Sequence, residues 1–240
     1  MPPAPLDRLV WHALATTHSH FRVGSNLAVR YPAEISPFAA VSENTTVAFE
    51  QLAALLDPNA PDDRVHIIEE APAAEPRFKS ALPPSLQIGP ALETHQMFGP
   101  PQPFPSPQNR RPIRELNSAN AQGMIALIAI AFPGFYKSET YKMGAYFGIR
   151  NDFGELVAMA GERLCIPGCH EISGVCTHPA HTGKGYARAL MLHLMQRHSN
   201  LGLKSFLHVG AKNTHALSVY QRLGFQITAS PTLWPLYRAT

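Results

Sequence analysis

The chain has 240 residues, of which 45% are hydrophobic and 15% are charged. This composition predicts a folded protein with a sizeable core and argues against wholesale disorder, and the length predicts one large or two small domains. The net charge of +3 is too small to predict a nucleic-acid-binding protein.

Charge, proline and glycine divide the chain unevenly near residue 110. Residues 1–110 contain 7 Lys/Arg, 11 Asp/Glu, 17 Pro and 3 Gly. Residues 111–240 contain 13 Lys/Arg, 6 Asp/Glu, 6 Pro and 13 Gly. The first part is acidic and proline-rich, and the second is basic and glycine-rich. A basic, glycine-rich domain suits a ligand whose phosphate groups are held by backbone amides.

The chain has an odd number of cysteines, namely Cys165, Cys169 and Cys176. They predict no disulfide framework and a reducing, cytoplasmic compartment. Cys165, Cys169 and His170 lack a second ligand pair, so we predict no metal site. Charged residues interrupt the apolar start, so no signal peptide is expected. The longest apolar stretch, residues 124–135, is shorter than the ~20 residues of a membrane span and predicts a buried helix.

In chain order, residues 1–97 predict a small α/β region. Phe49, Leu52, Ala53 and Leu56 recur at helical spacing in a stretch that stops at Asp57-Pro58, which predicts a helix over residues 45–56. The other predicted elements are a short helix at 6–14, strands at 26–31 and 65–69, and a strand over 86–98 broken by Gly89-Pro90.

Residues 98–110 are interpreted as an extended linker. They begin with FGPPQPFPSPQ, and its five prolines remove hydrogen-bond donors and fix φ, which excludes a helix or a central strand. The domain boundary is therefore predicted near Arg110.

Residues 111–240 predict a mixed sheet covered by helices. The predicted strands lie at 113–116, 145–150, 156–164, 171–177, 204–209, 226–228 and 233–237. The predicted helices lie at 118–131, 138–143, 186–198 and 214–223. Residues 151–154 are expected to form a hairpin turn between two of the strands.

The strongest local motif is TGKGYA, residues 182–187, between a predicted strand and a predicted helix. Glycines let backbone amides approach a ligand, and the helix N-terminus adds partial positive charge, which suits a pyrophosphate. Lys184 and Arg188 would add charge. The motif is also compatible with an ordinary glycine-rich helix entry. Gly185 stands where a Walker-type NTPase needs Ser or Thr, so that class is disfavoured.

A second pattern begins at Asn213 and continues through Ala216, Tyr220, Gly224 and Phe225. Taken singly, Asn213 is compatible with an N-cap, Tyr220 with a core residue and Gly224 with the residue after a helix. The combination with the glycine motif and the strand order is more specific than any of these alone.

With these motifs, residues 112–240 resemble the GNAT superfamily of N-acetyltransferases, in particular the branch containing the C-terminal domain of glycine N-acyltransferases. The family's loop reads Arg/Gln-x-x-Gly-x-Gly/Ala after Val-x-x-x-Pro. Val175, Pro179, Gly185 and Ala187 match it, whereas Thr182 stands where the family has Arg or Gln.

The resemblance implies a mixed, mainly antiparallel central sheet flanked by helices, with a smaller N-terminal α/β region. It also implies a domain over residues 111–240 that binds acetyl-CoA or another acyl-CoA and needs no metal. Residues 1–97 are then either a degenerate half of the same fold or a separate cap.

The resemblance further implies which residues bind the acyl-CoA. The strand before the loop would offer backbone groups to pantetheine, the loop amides would hold the pyrophosphate, and Asn213 would bond the pantetheine arm. The implied residues are Val175, Cys176, Thr177, Thr182, Gly183, Lys184, Gly185, Tyr186, Ala187, Arg188 and Asn213.

Acyl transfer to an amine needs a group that takes the ammonium proton. Glu171 is the first candidate base, Glu162 the second and His208 the third; a paired structural carboxylate is the alternative for Glu171. Tyr220 is the candidate acid for the departing thiolate. Direct transfer is favoured over an acyl intermediate on Cys176, which lacks a His/Asp partner spacing.

The predicted function is transfer of an acetyl group to a primary amine, more plausibly of a small molecule than of a protein. Phe135 and Tyr136 would touch this acceptor, or would only fill space. A catalytically silent acyl-CoA binder is the alternative. A kinase-like protein is disfavoured, because this sequence has no metal-binding Asp residues after the loop. We expect no nucleic-acid or membrane partner, and a homodimer stays open.

Overall fold

A large sheet organises the computed structural model, which describes residues 6–60, 63–69, 74–102, 104, 111–131 and 134–239. The strands are β1 (Val23–Gly24), β2 (Ala28–Arg30), β3 (Ala39–Val41), β4 (Val65–Glu69), β5 (Leu86–Ile88), β6 (Leu92–Phe98), β7 (Arg114–Leu116), β8 (Tyr146–Arg150), β9 (Leu156–Ile166), β10 (Cys169–Thr177), β11 (Lys204–Gly210), β12 (Gln226–Ala229) and β13 (Thr232–Arg238). The helices are α1 (Leu9–Ala15), α2 (Thr46–Ala54), α3 (Ala121–Ala131), α4 (Tyr186–Asn200) and α5 (Thr214–Arg222).

The sheet is mixed and mainly antiparallel, as predicted. Its strand order is β4-β13-β6-β11-β10-β9-β8-β7, with β12 paired to β6 and β5 to β13. Among the described strands of this sheet, β10 and β11 form the parallel ladder, and the other neighbours run antiparallel. β1, β2 and β3 form a separate small sheet.

Strands from both sides of the proline-rich segment share the large sheet. β6 pairs with β11 and β12, and β4 and β5 pair with β13. The hydrogen-bonded ladders therefore cross the boundary predicted near Arg110. The division into 1–97, 98–110 and 111–240 stays a prediction, and residues 103 and 105–110 of the linker lie outside the described residues.

Helices bury apolar faces against both sides of β9–β11. Ala187, Leu190, Met191 and Leu194 recur at helical spacing in α4, which predicts a buried stripe. Leu190, Met191 and Leu194 are fully buried in one cluster with residues of β8, β9, β10 and β11, as predicted, whereas Ala187 is half-buried. On the other side, α1 packs in a cluster that includes Leu164 and Phe206. The N-terminal region thus covers one face of the strands that form the site.

The β9–β10 hairpin is longer than the sequence predicts. The predicted strands end at residue 164 and begin again at residue 171, but Ile166 pairs with Cys169 and Cys165 pairs with His170. The connection at Pro167-Gly168 is therefore a tight turn. Gly168 permits this turn because its φ is +81°, a conformation that favours glycine. Within the described residues, no helix is both long and apolar enough to cross a membrane.

Candidate functional site

β10 and β11 pair briefly and then separate. Residues 169–171 pair in register with residues 204–206, and beyond them the β10–β9 register shifts between Ser173 and Cys176. Gly174 within this irregularity has a φ of +61°, a conformation that favours glycine. The bulge turns this part of β10 away from β11 and opens a space between two adjacent strands.

A cavity of about 810 Å³ fills this space, within the range of small-molecule sites. It is bounded by the diverging strands, by α5 and by the segment before β8. The predicted site residues that line it are Phe135, Val175, His208, Asn213 and Tyr220. These five lie far apart in the sequence, and the fold brings them to one cavity.

The glycine loop lies between β10 and α4. Gly183 and Gly185 have φ values of +74° and +75°, and a Cβ built on either would meet no described atom within 4 Å. Gly185 is the N-cap of α4 and offers no side-chain cap, so the first amides of this helix are presented to an external acceptor. Thr182 at the start of the motif donates its hydroxyl to the Pro179 carbonyl oxygen at 3.0 Å.

Asn213 and Tyr220 lie on α5 at the cavity wall. Oδ1 of Asn213 accepts the Ala216 amide at 3.1 Å, so the N-cap interpretation of this residue is correct. Burial, with a smaller contribution from Cys176, raises the pKa of Tyr220 to about 12. The phenol is therefore protonated at neutral pH and is a proton donor.

Glu171, the first candidate base, is fully buried and is not among the residues that line the cavity. Its Oε1 lies 2.6 Å from Arg163 Nη2 and its Oε2 lies 2.9 Å from Arg163 Nε. Burial alone would raise the pKa of Glu171, but Arg163 and His208 outweigh burial and hold it well below its usual value. The carboxylate is ionised, and both of its oxygens are bound by Arg163 or His208. Glu171 itself does not line the cavity, but these two partners do.

His208, the third candidate, does line the cavity. Its Nδ1 lies 2.8 Å from Glu171 Oε1 and its Nε2 lies 3.2 Å from Gln96 Nε2. An ionised carboxylate only accepts hydrogen bonds, so Nδ1 carries the proton in this arrangement and Nε2 is the accepting nitrogen.

Glu162, the second candidate, lies away from the cavity. Its Oε2 accepts the Ala145 amide at 2.9 Å, and its Oε1 lies 3.0 Å from His198 Nε2. Burial would raise the pKa of Glu162, but the imidazoles of His170 and His198 and the amide outweigh it and lower the pKa.

The remaining predicted residues divide between the cavity wall and the interior. The ring of Phe135 stacks on Phe38 at 5.7 Å between centroids. Tyr136 packs edge-on against Tyr146 at 5.8 Å and is not among the lining residues. Burial raises the pKa of the Cys176 thiol to about 12, which makes it a poor nucleophile. Residues 132 and 133 of the aromatic loop lie outside the described residues.

Three charged residues of the cavity wall, Glu93, Arg163 and Lys212, were not predicted. Glu93 comes from β6, which the sequence places before the linker and outside the catalytic domain. Arg163 is consecutive with Glu162, and strand alternation puts its side chain on the opposite face. This alternation is the feature of the sequence that could have indicated Arg163 as a cavity residue.

Comparison with known proteins agrees with this geometry. The profile of the acetyltransferase (GNAT) family matches residues 115–225. A crystal structure described as an acetyltransferase from the GNAT family of Novosphingobium aromaticivorans is 32% identical, with a TM-score of 0.85 over 98% of this chain and 99% of that chain. The chain belongs to the GNAT acetyltransferase family. No curated protein matches it.

A GCN5-related N-acetyltransferase from Kribbella flavida shares the fold at 16% identity, with a TM-score of 0.56 and 96% coverage of each chain. Membership of the GNAT family supports acyl transfer from acyl-CoA, and the transferase class predicted from the motifs is confirmed. The glycine N-acyltransferase branch, the individual site residues and the cytoplasmic location stay predictions.

The buried pair between Arg163 and Glu171 yields a prediction about stability. We expect Glu171→Gln to lower the free energy of unfolding by about 3–5 kcal/mol, because it leaves a buried guanidinium without its counter-charge. Urea denaturation measures the loss. Glu139→Gln is the control, since Glu139 forms an exposed ion pair with Lys142, and it should change stability by less than about 1 kcal/mol. Equal effects of the two variants would contradict the assignment.

Proposed function

We propose that this GNAT protein transfers an acetyl group from acetyl-CoA directly to a primary amine of a small molecule. The observation that carries the proposal is the separation of β10 and β11, which opens the cavity beside Val175, Asn213 and Tyr220. When bound, acetyl-CoA supplies an acyl group activated as a thioester. The protein has to hold that group, remove a proton from the amine and return a proton to the leaving thiolate.

The residues present fit an acyl-CoA. Gly174 and Val175 of the bulged segment line the cavity, and their backbone groups would hold the pantetheine arm. The Oδ1 atom of Asn213 accepts the Ala216 amide as the N-cap of α5. Its Nδ2 would therefore be the group that donates to the pantetheine arm. The open space beside Gly183 and Gly185 would admit the pyrophosphate to the amides at the start of α4. Thr182, which replaces the family's Arg or Gln, supplies no charge there.

We assign the base to His208, supported by Glu171. His208 lines the cavity, whereas Glu171 is enclosed by Arg163 and His208. The amine proton would pass to His208 Nε2 in place of the hydrogen bond from Gln96, and the Nδ1–H···Glu171 hydrogen bond would stabilise the imidazolium. Glu171 is thus a positioning residue instead of the direct base predicted from the sequence.

Tyr220 is the proposed acid. Its raised pKa keeps the phenol protonated, and the hydroxyl can donate that proton to the leaving thiolate. The raised pKa of Cys176 supports direct transfer over an acyl-enzyme on that thiol. The acceptor is to be found by screening small primary amines with release of free CoA thiol as the readout.

The glycine loop provides a test of cofactor binding. We expect Gly185→Asp to weaken acetyl-CoA binding by more than about tenfold, because a carboxylate would face the pyrophosphate and such like-charge contacts cost several kcal/mol. Gly154→Asp is the matched control: Gly154 has a φ of +80° and equally open space, but it lies in the β8–β9 turn. Calorimetric titration that finds equal affinities for the two variants would remove the loop from the site.

The acid role predicts a selective loss of turnover in Tyr220→Phe. The ring packing is kept and only the hydroxyl is removed, so acetyl-CoA affinity should persist while turnover falls by ~10²–10⁴-fold. Tyr237→Phe, which changes a tyrosine of β13 outside the cavity lining, should keep full turnover. A fully active Tyr220→Phe enzyme would leave Tyr220 as a packing residue.

The base role predicts a similar selective loss in His208→Gln, because an amide does not take up the amine proton. Turnover should fall by ~10²–10⁴-fold with little change in acetyl-CoA affinity. His95→Gln is the control, since His95 lies on the neighbouring strand and bonds Ser230. If Glu93→Gln abolishes turnover and His208→Gln does not, the base is Glu93 and our assignment is wrong.

A further inference from the structure

A second polar cluster is buried on the α4 side of the sheet. Glu162 of β9, His170 of β10 and His198 of α4 bring one carboxylate oxygen and two imidazole nitrogens within 4.8 Å of one another. None of the three is among the residues that line the cavity, and the proposed reaction uses none of them. We propose that these residues bind a divalent first-row transition-metal ion, for which zinc is the best match.

The separations between the ligand atoms suit a metal shell. Glu162 Oε1 lies 3.0 Å from His198 Nε2 and 3.5 Å from His170 Nδ1. In a tetrahedral zinc site with bonds of about 2.0–2.2 Å, neighbouring ligand atoms lie about 3.3–3.6 Å apart. The 3.5 Å separation falls in this range, and the 3.0 Å separation lies just below it.

His170 provides an independent sign that a partner belongs here. Its Nδ1 is buried and makes no hydrogen bond to any described residue; Glu162 Oε1, at 3.5 Å, is paired with it only loosely. A buried polar nitrogen without a hydrogen bond is costly, and such groups are rare in native proteins. An ion between His170 Nδ1 and Glu162 Oε1 would give Nδ1 the close partner that it lacks.

His198 has the supporting contact typical of a metal-binding histidine. Its Nδ1 lies 2.8 Å from Ser205 Oγ, and the serine hydroxyl can accept as well as donate. Without an ion, Nε2–H donates to the Glu162 carboxylate and Nδ1 accepts from Ser205. A bound ion would take the place of the Nε2 proton, and Nδ1–H would then donate to Ser205. Second contacts of this kind fix the tautomer of histidine ligands.

The site is separate from the cavity, and two of the side chains beside it are partly exposed. Consecutive residues of a strand point to opposite faces, so His170 faces α4 whereas Glu171 faces Arg163 and His208. The His170 side chain is 19% exposed. Arg197 also approaches Glu162 Oε1, at 3.6 Å, but its side chain is 43% exposed and is able to turn into solvent when an ion enters.

Two imidazoles and one carboxylate are a ligand set that zinc uses with water as the fourth ligand. Because the three ligands come from β9, β10 and α4, a bound ion would cross-link the hairpin to the helix that begins at the glycine loop. The inferred role is therefore to stabilise this unit.

The test uses the full chain without an affinity tag, stripped of metal with EDTA. Zn²⁺ and Co²⁺ are titrated by calorimetry, and the visible spectrum of the Co²⁺ form reports the coordination. We expect one ion per chain, a tetrahedral Co²⁺ spectrum and a higher melting temperature. His170→Ala should weaken binding by at least about tenfold, and Ser205→Ala by about 10–100-fold.

His193→Ala is the matched control, because His193 lies on α4 against Phe147 and should leave metal binding unchanged. Circular dichroism of the metal-free variants checks that each is folded. Absence of stoichiometric binding to the wild-type chain, or unchanged affinity in folded His170→Ala, would overturn the proposal. If His170→Ala does not fold, an octahedral Co²⁺ spectrum of the wild-type protein or unchanged affinity in Ser205→Ala would overturn it.

Discussion

The parallel ladder between β10 and β11 ends after three residue pairs, and the rest of the site depends on that ending. A continuous ladder would close the sheet and leave no space between these strands. The irregularity at Gly174 turns β10 away from β11, which opens the cavity and exposes backbone groups to it. The same strand then leads into the glycine loop, so the cavity and the proposed phosphate-binding amides are placed by a single element.

A buried ion pair supports the open part of the sheet. Arg163 lies on β9, and Glu171 lies on β10 at the last pair before β10 diverges from β11. The Arg163 guanidinium also lies over the Phe38 ring, 4.9 Å from its centroid. Phe38 in turn stacks on Phe135 at the cavity wall. The N-terminal region is thus packed against the catalytic strands through these contacts. These contacts add to the ladders that join β4, β5 and β6 to strands beyond the proline-rich segment.

Much of the fold follows from local patterns in the sequence. The helical stripe of α4, the β8–β9 turn and the break at Gly89-Pro90 each depend on nearby residues, and each is predicted at nearly its observed position. The partners of β4, β5 and β6 were not predictable, because sheet pairing over a hundred residues is decided by packing and leaves no local signal. The same limit applies to the site. TGKGYA and the Asn213–Phe225 pattern predict acyl-CoA binding, but only the tertiary structure shows that Glu171 is enclosed by Arg163 while His208 lines the cavity.

The most direct measurement of the central claim is the thermal stability of the intact chain with acetyl-CoA and, separately, with ATP. Both ligands carry adenine and phosphates, but only acetyl-CoA has a pantetheine arm to occupy the space between β10 and β11. Binding to the native state alone stabilises it by about 2.7 kcal/mol at a hundredfold excess over Kd. We expect a clear rise in melting temperature with acetyl-CoA and a much smaller one with ATP. No rise with acetyl-CoA, or equal rises with both ligands, would contradict acyl-CoA binding between β10 and β11.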